Sequence, residues 1–228
     1  MSFDLQSWGE TFVRAVSGAF GSRVVCAGIQ GSRARGEAKP SSDIDTVLIL
    51  DELTAEDLAV YRALLRTLPE QELICGFVSG RAELACWEPV ELVSFYFDTL
   101  ALAGDLEFLR PLVTAASARR AVLDGACGIY HACCHNCLFD GSMELLRSLY
   151  KNAFFVLRAK HFYKTGVFLR REDELLAQLC GTDLAVLERR AALDRSTEKE
   201  ADLVAESVLL LGWAGALIKE FGEPRVVS

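Results

Sequence analysis

The chain has 228 residues, 51% of them hydrophobic, with 32 acidic side chains against 24 Lys and Arg and a formal net charge of −8. That length can bury one large core or two small ones, which excludes disorder as the dominant state, and the acidic balance excludes a broad grip on a phosphate backbone, so nucleic acid ranks low as a partner. The longest uncharged stretch near the C-terminus, Ser207 to Ile218, has 12 residues where a bilayer span needs about 20, and Met1 to Val13 carries Asp4 and Glu10 with no basic-then-apolar leader; no membrane association and a cytoplasmic location are expected.

Taken in chain order, Leu5 to Phe20 places Leu5, Trp8, Phe12 and Val16 at helical spacing. Val24 to Ile29 and Thr46 to Leu50 are short runs rich in β-branched residues, bounded by Gly, Ser and Asp, and read as strands. Thr54 to Leu68 opens with a Thr-x-x-Asp start signal and spaces Leu58, Tyr61, Leu64 and Leu65 as a helix does. Leu73 to Val78 is a third strand candidate, so the first part reads as an α/β unit. After Pro111 the pattern turns helical, with expected helices over Arg120 to Cys137, Met143 to Tyr163, Arg171 to Leu179 and Thr197 to Phe221. A stripe of Leu145, Leu146, Leu149, Ala153, Val156 and Leu157 predicts that these pack as a bundle. The boundary is placed near residue 115.

The informative segment lies between the first two strands, Gly31-Ser32-Arg33-Ala34-Arg35-Gly36-Glu37-Ala38-Lys39-Pro40-Ser41-Ser42-Asp43-Ile44-Asp45. Gly31 lets backbone approach a phosphate closely, and Ser32 adds a hydroxyl donor. Asp43 and Asp45, one residue apart at a strand start, project from one face and can share a hard cation, while Ile44 points to the core. Arg33, Arg35 and Lys39 add positive charge around the same turn, which suits a triphosphate. Carboxylates facing such a turn are what nucleotidyl transfer requires: Mg²⁺ is held against a nucleoside triphosphate and charge on the phosphoryl group is neutralised.

These residues resemble the nucleotidyltransferases of the DNA polymerase β superfamily, whose signature is Gly-Ser, ten residues, then Asp-x-Asp or Asp-x-Glu. Ser32 and Asp43 have that spacing, and Gly31-Ser32, Ala34-Arg35-Gly36 and Ser42 to Asp45 match the minimal nucleotidyltransferase branch letter for letter. The resemblance implies a nucleotidyltransferase domain with a small mixed sheet over residues 1–115, followed by an α-helical bundle domain over 116–228. It further implies two-metal catalysis by Mg²⁺ with ATP as the triphosphate, and a nucleotide site formed by Gly31, Ser32, Arg33, Arg35, Lys39 and Ser42. That family places a third metal-binding carboxylate on a neighbouring strand. Here Glu72 is the first choice, because it shares a face with Ile74 by alternation, and Asp98 is the second.

The layout is also similar to aminoglycoside nucleotidyltransferases, in which an acid of the helical domain is the general base and the acceptor site lies between domains and subunits. That similarity implies a small-molecule acceptor, admits a homodimer, and points to Asp140 as the base, with Glu144 as a substitute. An acidic protein suits a cationic acceptor. A protein side chain as acceptor, and a homologue that binds nucleotide or a partner without turnover, stay open beside it. His131, Cys133, Cys134, His135 and Cys137 form a further cluster, but four zinc ligands rarely converge from one helix, and packing explains it better. The eight cysteines, mostly set in apolar runs, suit a reducing compartment.

Overall fold

The computed structural model describes residues 3–195 and 203–223. Contacts within the chain divide it into two units, Met1–Val113 and Thr114–Ser228.

The first unit opens with α1 (Leu5–Phe20), whose start is fixed by the Asp4 side chain accepting from the Gln6 N–H. Its Trp8, Phe12, Val16 and Phe20 recur every four residues and are buried. Then come β1 (Val24–Gln30), α2 (Gly31–Arg35), β2 (Ile44–Leu50), α3 (Ala55–Leu65), β3 (Ile74–Gly80), α4 (Arg81–Ala85), α5 (Pro89–Asp98) and β4 (Leu100–Gly104). The sheet is mixed, in the order β3-β2-β1-β4, with β2 and β3 parallel and the other pairs antiparallel.

Alternation along β2 sorts the core into two faces. Ile44, Leu48 and Leu50 join Phe12 and Val16 of α1 and Tyr61 of α3, whereas Val47 and Ile49 join Cys26, Leu84, Leu92 and Leu109 on the other side. Burying a side chain such as Phe12 is worth roughly 1.5–3 kcal/mol, and truncating it to Ala would cost about 3–5 kcal/mol through the cavity left behind. α3 is started by a reciprocal capping box between Thr54 and Asp57. Asp57 also takes a two-pronged contact from Arg23, at 2.8 and 2.9 Å. That guanidinium holds the Asp57 carboxyl well below the usual carboxylate range, and Asp57 raises Arg23 in return.

The second unit comprises α6 (Ala115–His135), a π-type turn over Asn136–Asp140, α7 (Met143–Thr165), α8 (Glu172–Leu176), α9 (Gly181–Arg195) and α10 (Leu203–Phe221). Val122, Ala126, Ile129 and Cys133 of α6 pack with Leu146, Leu149, Tyr150, Ala153, Phe154 and Leu157 of α7 and with Leu210, Trp213, Ala214 and Leu217 of α10. α6 begins five residues before the expected start, because Thr114 and Ser117 form a capping box there. α8 is a short helix where nine residues were expected. The expected start of the last helix at Thr197 lies outside the described residues. α9 and β4 were not anticipated. No helix among the described residues is long and apolar enough to cross a membrane.

Candidate active site

The site is built where β1 runs into α2 and the chain returns as β2. At Gly31 the backbone has φ of +71°, the left-handed region that favours glycine. A Cβ placed there would lie 1.9 Å from Oδ2 of Asp45, so that carboxylate rests directly against the bend. Ser32 follows in the first turn of α2, and its carbonyl accepts from the Glu37 N–H at 2.8 Å. β1 and β2 pair antiparallel with Gln30 opposite Asp45, which brings the second aspartate level with the end of the preceding strand. Ile44 is fully buried among the α1-facing residues, so alternation turns Asp43 and Asp45 to the opposite face. Asp43 is exposed and Asp45 half-buried.

The basic residues of the segment divide by role. Arg33 is buried, with its guanidinium turned into the loop: Nε donates to the carbonyls of Ser42 and Asp43 at 3.1 and 3.0 Å, Nη2 donates to Ser42 and Pro40, and the group lies 4.0 Å over the Phe3 ring. It therefore fixes the carbonyls on either side of Asp43 and sets the approach to β2, rather than projecting charge outward as the sequence suggested. Arg35 donates to Glu37 at 2.8 Å and lies 4.0 Å from Asp98. Lys39 is exposed, and its backbone N–H donates to the Ser42 hydroxyl at 2.9 Å, closing a small turn.

On the other flank of Asp45, the parallel register places Cys75 of β3 directly opposite it, and the Cys75 thiol donates to Asp45 Oδ1 at 3.2 Å. Burial, then that hydrogen bond and the charges of Asp45 and Asp43, push the Cys75 thiol up to about 11. The next residue, Gly76, has φ of +149°, and a Cβ on it would meet the Thr46 carbonyl oxygen at 2.1 Å, so β3 presses close to β2 beside the thiol. Glu72 does not stand in that place. It is exposed, in a single 3₁₀ turn over Gln71–Leu73 that precedes β3. Ile74 pairs with the inward-facing Ile44, so the face that alternation gave to Ile74 is the one turned away from the aspartates. Asp98 ends α5, a helix, and is buried beside Arg35.

Sequence reasoning missed Cys75 and Gln30, whose side-chain amide donates to the Phe95 carbonyl and the Thr99 hydroxyl at 3.2 and 2.7 Å. Alternation puts Cys75 on the face opposite Ile74, but that this is the aspartates' face follows only from the alignment of β2 and β3 at Ile44 and Ile74.

In the helical unit, Asp140 closes the π-type turn and its Oδ2 lies 2.9 Å from His135 Nδ1. The start of α7 is capped by Ser142, which accepts from the Leu145 N–H, and Glu144 sits in the first turn. Ser142 is held in turn by the fully buried Asn136, whose side chain both donates to its carbonyl and accepts from its N–H. Cys133 is buried in the bundle with its thiol 3.7 Å from the Ser207 carbonyl, and His135 packs on Phe139 with ring centroids 4.9 Å apart. Among the described residues, no group of three or more His, Cys, Asp and Glu is poised to hold a metal ion.

The pair of aspartates matches a hard cation by donor chemistry: two carboxylates on one face beside the Gly31 bend offer the oxygen ligands such an ion takes.

Residues 11–93 match the sequence model of the family described as nucleotidyltransferase domain. No curated protein sequence matches the chain. Among solved structures, the chain is similar to the spectinomycin adenyltransferase AAD(9) from Enterococcus faecialis, solved with ATP and spectinomycin. The identity is 12%, the TM-score is 0.56, and the match covers 95% of this chain and 100% of that one. Gly31, Ser32, Asp43 and Asp45 all fall inside the matched domain. Residues 11–93 are thus similar to nucleotidyltransferase domains, and the chain shares the fold of that solved structure, with a small mixed sheet in its first unit and a helical C-terminal unit.

Proposed function

We propose that the protein transfers AMP from ATP to a hydroxyl of a small cationic acceptor of the aminoglycoside kind. The observation that carries this reading is the seat of the Asp45 carboxylate on the side-chain-free bend at Gly31, with Asp43 on the same face. In the reaction, an acceptor oxygen forms a bond to the α-phosphorus, the bond from that phosphorus to the bridging oxygen breaks, and pyrophosphate leaves with the electron pair. The acceptor's hydroxyl proton passes to a base, for which Asp140 is the candidate.

Asp43 and Asp45 would hold Mg²⁺, which when bound would neutralise phosphate charge and lower the cost of the entering oxygen's negative charge. Gly31 and Ser32 would receive the β- and γ-phosphates, a role supported by their place at the turn beside Asp45. Arg33 keeps the 40–43 loop in register, exposed Lys39 supplies positive charge at its rim, and Arg35 is engaged by Glu37 and Asp98. The carboxylates brought together support one cation rather than two. The likeness to a protein solved with ATP and spectinomycin, together with the net charge of −8, supports ATP as donor and a cationic acceptor.

One observation favours a second reading. A thiol, not a carboxylate, stands opposite Asp45 on β3, as it would in a homologue that binds nucleotide without transferring it. Incubation with Mg²⁺, ATP labelled at the α-phosphate and a panel of aminoglycosides and aminocyclitols separates the two. Label on an acceptor supports transfer. Saturable nucleotide binding with label on no acceptor supports the binder.

A further inference from the structure

The two oxygens of Asp45 face different neighbours. Oδ2 is the atom against Gly31, while Oδ1 accepts from the thiol of Cys75, the residue that the parallel register places opposite. A carboxylate has two rotamer-dependent directions for its oxygens, and a donor on one of them selects which oxygen is left for a ligand. Gln30, opposite Asp45 on the antiparallel side, is tied to Phe95 and Thr99 and supplies no anionic oxygen. On the β3 side the residue directly opposite Asp45 is Cys75, which is neutral and soft and adds no anionic oxygen to Asp43 and Asp45.

Building on the nucleotidyl-transfer reading, we infer that Cys75 is a positioning residue: it turns Oδ2 of Asp45 toward the Gly31 bend and limits the cation centre to two carboxylates. Such a centre holds a divalent ion weakly alone and firmly only when triphosphate oxygens complete its shell, because affinity for hard ions grows with the number of charged ligands. The cation therefore enters with the nucleotide.

Mn²⁺ titration followed by electron paramagnetic resonance, on the full chain with and without an ATP analogue carrying a methylene bridge between the α- and β-phosphorus, reads this directly. Cys75→Ser keeps a donor and should reproduce the wild-type curve. Cys75→Ala should weaken nucleotide-dependent Mn²⁺ binding by about tenfold, the usual range for losing a group that orients a ligand. Cys75→Asp should tighten Mn²⁺ binding in the absence of nucleotide by about tenfold or more, through the added charged ligand. Circular dichroism verifies that each variant is folded, and Cys75→Ser serves the comparison if Cys75→Asp is not. Unchanged binding in Cys75→Ala, equal loss in Cys75→Ala and Cys75→Ser, or no tightening in a folded Cys75→Asp overturns the inference. Failure of the underlying reading looks different: Asp45→Asn would then leave Mn²⁺ and nucleotide binding intact whatever residue stands at 75.

Discussion

Oδ2 of Asp45 occupies the space that a side chain on residue 31 would fill. The two residues are fourteen positions apart, yet the turn works only if one lacks a side chain and the other carries a carboxylate. Gly31→Ala would meet both the left-handed backbone cost, about 1–2 kcal/mol, and a direct collision with that carboxylate. Since displacing a reacting group by about 1 Å can cost on the order of 100-fold in rate, the variant should fold with a modest loss of thermal stability and lose about 100-fold in transfer. Thermal unfolding beside a transfer assay checks this, and an alanine variant with full activity would show that Asp45 does not need its present seat.

Arg33 gives the opposite balance. Its guanidinium bridges loop carbonyls and lies over Phe3, out of solvent. Arg33→Met keeps the stem and removes the fork, and should cost about 2–3 kcal/mol in chemical denaturation, as hydrogen bonds from charged donors do when their acceptors stay buried. Arg33→Lys should rescue little, because a point charge cannot span both carbonyls. Wild-type stability in Arg33→Met would assign the loop's shape to other contacts.

The Arg23–Asp57 contact predicts a pH dependence. Asp57 is held below its unfolded value, so its contribution is fully present above the ordinary carboxylate pKa of about 4 and is lost as pH falls from there through the lower folded value. The gap in melting temperature between wild type and Asp57→Asn should be constant from pH 6 to pH 8 and narrow below about pH 4. A gap that widens on acidification would contradict the assignment.

Much of this was legible in the sequence, and the failures have physical causes. Ser32 and Asp43 sit at a fixed spacing because a strand end, a short helix and a return loop must bring Asp45 back to Gly31, so the motif encodes its own geometry. Helix α1 was legible because Trp8, Phe12 and Val16 repeat with a helical period. Strand β4, Leu-Ala-Leu-Ala-Gly, was missed because it lacks β-branched residues and is held in the sheet by pairing with β1. α9 was missed because Arg189 and Arg190 interrupt its apolar face, where they pair with Glu206 and Glu172. Glu72 was the first choice because it alternates with Ile74, but alternation within β3 cannot reveal which face meets Asp45; only its register with β2 does.

The central claim is that Asp43 and Asp45 form the centre of a nucleotidyl transfer, and parallel measurement of pyrophosphate release and labelled acceptor tests it most directly. With Mg²⁺, α-labelled ATP and a cationic aminocyclitol, the wild type should release one pyrophosphate for each labelled acceptor molecule, while Asp45→Asn should stay folded and give neither product. Equal product from wild type and Asp45→Asn, or pyrophosphate released with no label on any acceptor, would contradict it.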